Sequence, residues 1–437
     1  MKTSNGWWVA VSMLAVPVLG ACTQPEDEEG PWDTGGDRGQ DDGGSGSDVW
    51  DVSGPQTVLR GVVWSPGHLV PISGALVYLA LTDPAPIPPH AYPENCIDPP
   101  SPYFAFSAPD GSFEVHAAPG AYQLVVQKGQ FRRVRPLTVP ATGPVDLPDE
   151  PTTLPARPGD GDTIPNIALS FAMDAGDHIE DVLAKLTMGD VDSGNRLVHG
   201  SEPFDIYNIA PYPPSETLLR DLTRMLGYHI IFFPCTIAGS FDDPQLNDPT
   251  APLTDPTVQA NLRAYVEAGG KIYATDMMYD VFETALPEYV DVCGDDAVLD
   301  DGDHEAWAYS QTASGWTSRG YSVDADLSAW LDAIGIGHDR LDFLENFVWV
   351  EDYLVRLDPL PGESAGPKVW VEGDFVLEAG RVVPLTLTFQ HGGGKVLFST
   401  YHTVGDGWSP GHAGILPQEY VLVYLIMEIG VCNPPLI

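Results

Sequence analysis

Positive charge is scarce in this chain. Lys and Arg together number 20 against 62 Asp and Glu, a formal net charge of -42. A field of that sign repels nucleic acid and anionic lipid surfaces, and it suits solubility or cation binding. Cysteine is sparse too, at five residues, so what each one does depends on the compartment. Long apolar runs are short. The N-terminal stretch from Trp7 to Leu19 falls below the length that spans a membrane comfortably as a mature helix. What is present in quantity is core-forming material. Hydrophobic residues make up 43% of 437 positions, and that length predicts two or three domains.

The N-terminus sets the compartment. Lys2 precedes the apolar stretch, as in a secretory signal peptide. The stretch ends Leu19-Gly20-Ala21-Cys22, which resembles a bacterial lipobox. The resemblance implies that residues 1–21 are a removed lipoprotein signal peptide. It also implies that Cys22 is acylated, with palmitate as one chain, and becomes the new N-terminus. An ordinary secretory signal with an incidental cysteine is the alternative. Buried methylenes add up to a firm anchor. The expected location is the bacterial cell envelope, at the outer membrane, with the folded part outside the cytoplasm. Residues 22–56 read as a disordered acidic tether. Its segments PEDEEG and DTGGDRGQDDGGSGSD bury too little surface to offset backbone entropy. Such a chain reaches on the order of 30 Å, and further under charge repulsion.

Residues 57–145 carry no helical period. Strands are expected over Arg60–Trp64, Ala75–Leu81, Tyr103–Ser107, Ser112–His116, Ala121–Gln127 and Arg132–Val139. Pro109-Asp110-Gly111 and Ala118-Pro119-Gly120 read as turns, because glycine supplies positive φ. Short strands at this spacing predict an all-β sandwich. The run GVVWSPGHLVPISGALVYLAL…APDGSFEVHAAPGAYQLVVQ resembles the carboxypeptidase regulatory-like (prealbumin-like) family, with its G-x-V, GA-x-V, DG-x-F and PG-x-Y elements in that order. The resemblance implies a sandwich without enzymatic chemistry that spaces or binds. Pro84 to Pro102 reads as a proline-rich extended insertion holding Cys96.

Residues 146–165 read as a second linker. From 166 to 437 strands and helices alternate, which predicts an α/β layered domain with a largely parallel sheet. Its centre runs from Tyr228 to Glu283. Ile230–Phe233 is a buried strand. Asp255-Pro256 starts a helix whose apolar face is Val258, Leu262, Tyr265 and Val266, and Gly269-Gly270 stops it. Lys271–Thr275 is the next strand. Asp276 follows at the strand-to-helix turn, and Met277 to Leu286 reads as a helix. Asn166–Ala172 is expected as the first strand of the domain, and Asp177 to Glu180 as a capping-box start for a helix ending at Gly189. Ser215–Met225 and Asp324–Ile334 read as amphipathic helices, and Pro417–Ile429 as a closing one. Phe347–Val350, Lys368–Val371 and Val382–Phe389 read as an accessory or antiparallel edge. Lys395–Thr400 is a late buried strand.

IIFFPC, a helix, GGKIYATD and a late GGGKVLFSTYHT together resemble the class I glutamine amidotransferase-like superfamily. The resemblance implies a flavodoxin-like three-layer architecture. It also implies a cysteine nucleophile at the turn after the central strand and a His-x-Glu after a late strand. Here Asp276 holds the cysteine's place. His402 holds the histidine's, and Val404 stands where the glutamate belongs. A carboxylate cannot replace a thiolate in forming a thioester from an amide. Without the orienting acid no relay is assured for His402, and Asp406 is the nearby substitute. The chain therefore reads as a pseudoenzyme that binds or scaffolds. The alternative is a hydrolase or metal-dependent enzyme using Asp276 and His402. A triad on Cys235 is a weaker option, since that residue ends the preceding strand.

Asp174, Asp177, Asp276 and His402 all lie just past carboxyl ends of strands, where such sheets have their crevice. They form the candidate ligand pocket. No cofactor is demanded, and a divalent cation is the open option. A sugar or cationic group fits the same residues. Against this, Asp177 and Asp276 also read as helix caps, and His402 as a hydrogen-bonded core residue. The loop Asp300-Asp301-Gly302-Asp303-His304-Glu305 lacks the alternation of an EF-hand and reads as exposed acidic loop.

Beyond Cys22, four cysteines remain, and four allow three pairings. Strand and helix directions place Cys235 at the top of the sheet and Cys432 at the bottom. Cys293 with Cys432 is the pairing that fits, which leaves Cys235 as a buried thiol. The expected partners are the membrane, through the lipid anchor, and an extracellular protein or glycan.

Overall fold

The computed structural model describes residues 54–93, 99–170, 177–207, 212–235, 253, 255–292, 316–346, 348–356, 366–374, 380–403 and 414–428. The expected signal peptide, the expected lipid-attachment residue Cys22 and almost all of the expected acidic tether lie outside them. So do Asp174, Asp406, the loop at 300–305, and Cys96, Cys293 and Cys432 of the disulfide reading. The protein is a multi-sheet, mostly β structure with some helices. Among the described residues the strands form four sheets.

The first lobe holds β1 (Thr57–Val62), β2 (Leu76–Ala80), β3 (Phe104–Phe106), β4 (Ser112–Ala117), β5 (Gly120–Lys128), β6 (Phe131–Val139), β7 (Val145–Asp146), a single helical turn α1 (Asp149–Thr152) and β8 (Asp162–Thr163). One sheet has the order β4-β1-β7 and the other β3-β2-β5-β6-β8. Along β4, Phe113, Val115 and Ala117 turn inward while Glu114 and His116 face out, the period-two pattern of a half-buried strand. Leu59, Val115, Val77, Leu79, Leu124 and Val126 from both sheets meet in one core. The sequence places β1 three residues late.

The expected linker, residues 146–165, is part of this lobe. Val145–Asp146 runs parallel to β1, and Asp162–Thr163 pairs with β6. Asp162 takes two hydrogen bonds from Arg133, at 3.0 and 2.9 Å, and one from Arg135 at 3.1 Å. The Pro, Gly and Asp content that marked a linker is here the chemistry of tight turns and ion pairs.

The second lobe holds β9 (Ile167–Ser170), α2 (Ile179–Leu183), β10 (Asp205–Tyr207), α3 (Ser215–Leu219), α4 (Leu222–Leu226), β11 (Ile230–Phe233), α5 (Pro256–Glu267), β12 (Lys271–Thr275), α6 (Asp280–Glu283), β13 (Val290–Val292), β14 (Trp316–Ser322), α7 (Ala325–Ala333), β15 (Leu341–Asn346), β16 (Val350–Tyr353), β17 (Lys368–Asp374), β18 (Val382–His391), β19 (Gly394–Ser399) and α8 (Pro417–Glu428). The nine-stranded sheet has the order β10-β9-β11-β12-β19-β18-β17-β14-β15. From β10 to β19 the neighbours are parallel, and from β18 onward antiparallel. β13 and β16 pair separately.

Both faces of the parallel part are covered, which is why its strands are largely apolar rather than alternating, with Lys271 and Thr275 among the buried polar exceptions. Phe232, Tyr273 and Leu397 pack on one face with Ile179, Leu183, Leu331 and Leu422. Ile231, Phe233, Ile272, Ala274 and Phe398 pack on the other with Leu218, Val258, Leu262 and Val266. Asp255 caps α5, accepting from Thr257 N–H, with proline at the first helical position. Asp324 caps α7 through Asp326 and Leu327 N–H.

Three helix readings need correction. Ser215–Met225 is broken at Arg220–Asp221, because Asp221 caps a new helix by accepting from Arg224 N–H. Met277–Leu286 is a tight 3-10 turn, Asp276–Tyr279, followed by the one-turn α6. Asp177 does not cap α2, whose flanking residue His178 makes no side-chain cap bond. Of the strand expected at Phe347–Val350, Val350 opens β16 and β15 ends just before the range at Asn346, while Phe347 lies outside the described residues.

The stretch Pro84 to Pro93 of the insertion lies against the second lobe. His229 Nε2 donates to Pro88 O at 2.7 Å, Asn166 Nδ2 donates to Pro89 O at 2.9 Å, and Ala91 N–H donates to Leu226 O at 2.8 Å. Gly269, at φ 108°, lies against Tyr92: a Cβ there would sit 2.1 Å from its carbonyl carbon. On the other side, Trp330 Nε1 donates to Pro71 O at 2.8 Å.

Candidate functional site

β9, β11, β12 and β19 are parallel neighbours in the sheet, so the residues just past them share one end of it. Cys235 stands two residues after β11, Asp276 directly after β12, and His402 three residues after β19. Asp276 has φ 48°, a left-handed conformation that L residues avoid. The sharp turn buries its carboxylate completely and aims it across the strand ends at His402. Asp276 Oδ2 lies 3.2 Å from His402 Nε2. Ligand atoms of Cys235, Asp276 and His402 all lie within 4.8 Å of one another, and all three residues are buried. Cys235 is not disulfide-bonded.

Asp177 organises the three from behind. Its N–H donates to Cys235 O at 2.8 Å. Its carboxylate accepts from Thr275 Oγ1 at 2.9 Å, from Thr403 N–H at 2.9 Å and from Thr403 Oγ1 at 2.6 Å. Cys235 N–H in turn donates to Thr275 Oγ1 at 2.8 Å. Thr275 precedes Asp276 and Thr403 follows His402. One buried residue is thus bonded through its N–H to the backbone of Cys235, and through its carboxylate to the chain neighbours of the other two residues. Burying that carboxylate is tolerable because its oxygens are hydrogen-bonded.

Burial pushes the Cys235 thiol up, an effect that His402 opposes and Asp276 reinforces. A thiol held protonated is not a resident nucleophile. Within α2, burial and then the neighbouring Glu180 raise Asp181 to about 6. His178 Nδ1 lies 2.9 Å from Glu180 Oε1.

Of the sequence-predicted pocket, the structure brings together Asp276 and His402, and ties Asp177 to both through threonines. Asp276 is no helix cap, since no capping bond is made at the turn it opens. Sequence reasoning set Cys235 apart as the end of a neighbouring strand, whereas the structure puts it in the same cluster. It missed Thr275 and Thr403 altogether. The available signal was their position, each adjacent to a singled-out residue.

No protein-family model matches the chain. No curated protein matches it either. Among solved structures, two cytoplasmic proteins from Salmonella typhimurium are similar at 13% identity and TM-scores of 0.32 and 0.31. They cover 60% and 61% of this chain and 98% and 97% of their own. A DUF3823 family protein from Parabacteroides merdae is similar at 17% identity and a TM-score of 0.15, over 23% of this chain and 45% of that one. Among the described residues no helix is long and apolar enough to cross a membrane.

Proposed function

We propose that this chain is a lipoprotein of the bacterial cell envelope with a binding role. It is anchored through Cys22 and held off the membrane by its acidic tether. In this reading the first lobe is a prealbumin-like sandwich that spaces or binds. The second is a flavodoxin-like, class I amidotransferase-like domain that has lost glutamine hydrolysis and keeps its crevice for a ligand. The observation that carries the loss is Asp276. It occupies the strained turn after β12, at φ 48°. A strained turn of this kind is a device for presenting a side chain. The side chain presented is a carboxylate, which cannot form the thioester.

The test is direct. Full-length protein incubated with glutamine is expected to release no ammonia above a heat-killed control. Steady release would sink the reading. Palmitate labelling is expected in the unaltered protein and absent in Cys22→Ala, which should leave the membrane fraction.

A second reading, a metal-dependent hydrolase using Asp276 and His402, is favoured by one observation. Cys235 joins them within 4.8 Å. Ester or amide hydrolysis that falls with Asp276→Asn while the fold persists would select it.

A further inference from the structure

We propose that Cys235, Asp276 and His402 form a three-ligand site for a borderline-soft divalent cation, zinc above all. The proposal rests on reading the crevice as a binding site and names the ligand class it takes. It begins from the donor set. Three carboxylates would suit calcium or magnesium, but a sulfur, an imidazole nitrogen and one carboxylate oxygen would not. Thiolate and imidazole together select zinc among common divalent ions, and the carboxylate completes a set that zinc accepts.

The spacing agrees. Nitrogen and oxygen ligands each about 2.0–2.1 Å from a tetrahedral zinc lie about 3.3 Å apart. Asp276 Oδ2 and His402 Nε2 are 3.2 Å apart. A sulfur at about 2.3 Å from the metal would lie about 3.5 Å from the other two. The cluster holds its ligand atoms within 4.8 Å, so a side-chain adjustment of about 1 Å closes it.

The support around the site also fits. Metal ligands need a rigid outer shell that fixes their orientation. Asp177 supplies one, through Cys235 O, Thr275 and Thr403. Each ligand comes from the end of a different strand, so the sheet itself sets their separation. The strained φ of Asp276 gains a purpose, because that turn is what swings its carboxylate toward His402. Three protein ligands leave a fourth position for water or for an oxygen of a bound molecule.

The experiment uses the full-length chain purified without chelator. Metal content is measured by mass spectrometry, and cobalt(II) is titrated in as a spectroscopic stand-in for zinc. The expected result is one zinc per chain and a thiolate-to-cobalt charge-transfer band. Cys235→Ser should abolish the band, and His402→Gln should weaken zinc binding at least tenfold. Asp177→Asn, a positioning change, should weaken it about tenfold. Circular dichroism confirms that each variant is folded. Should a variant fail to fold, the band in the unaltered protein decides alone.

A band that persists unchanged in Cys235→Ser, or metal bound to the unaltered protein with no charge-transfer band, would show an ion held elsewhere, such as an adventitious ion on the acidic surface, and would overturn the proposal. So would an unaltered chain that takes up no zinc. Ammonia release from glutamine would end the pseudoenzyme reading and leave the metal count standing. A metal-free chain that releases no ammonia would end this inference alone.

Discussion

Thr403 Oγ1 donates to Asp177 Oδ1 at 2.6 Å across 226 residues of sequence. The second carboxylate oxygen takes Thr403 N–H and Thr275 Oγ1. This one side chain links the turn after β19, the end of β12 and the start of α2. Replacing Asp177 with alanine strands several buried donors at once, each costing about 1–3 kcal/mol. Asp177→Ala is therefore expected to lose about 3 kcal/mol or more in urea denaturation, and Asp177→Asn less. A loss under about 1 kcal/mol for alanine would mean that the network is not a brace.

The turn at Asp276 separates backbone strain from side-chain chemistry. At φ 48° a glycine is at ease and a β-branched residue is not. Asp276→Val should melt well below Asp276→Gly, the left-handed conformation alone accounting for about 1–2 kcal/mol. Equal melting temperatures for the two would contradict the observed backbone.

His229 gives the pH dependence. Its Nδ1 accepts from Asn166 N–H at 2.8 Å and its Nε2 donates to Pro88 O at 2.7 Å. A backbone N–H only donates, so Nδ1 must carry a lone pair and the ring must be neutral. Burial lowers this group from 6.5 to about 4. Between those values the unfolded chain binds a proton and the folded chain does not, so stability falls as pH falls. The full effect is about 3 kcal/mol, reached near the folded value. Equilibrium unfolding between pH 7 and 4 should show that slope, and His229→Gln should flatten it. A slope unchanged in the variant would assign the loss to other groups.

Gly269 tests the seam between the lobes. Alanine there meets both a φ of 108° and the Tyr92 carbonyl. Gly269→Ala is expected to cost about 2 kcal/mol or more and to speed proteolysis within the 84–102 insertion. Wild-type resistance in that segment would show that it yields without cost.

The elements that sequence made plain are those whose stabilising contacts are local. Asp255-Pro256 opens α5, and β11 and β12 announce themselves because strands between two helical layers are mostly apolar. What stayed hidden depended on partners far along the chain. No pattern near Asp162 reveals that Arg133 and Arg135 will meet it, so 146–165 read as a linker. Asp177 carried every local mark of a capping residue, and its carboxylate is bonded instead to Thr275 and Thr403. Asp276 and His402 could be picked out by position and resemblance. The arrival of Cys235 beside them could not, because it depends on how far β11 is shifted against β12.

Pro88, Pro89 and Ala91 have a bearing on how this molecule can be taken apart. They lie within a loop of the first lobe, yet the groups they bond belong to the floor of the second. Expression of residues 166–437 alone would remove the acceptors for His229 and Asn166 and the donor for Leu226 O. Any fragment meant to preserve the strand ends and their cluster must therefore begin upstream of β1.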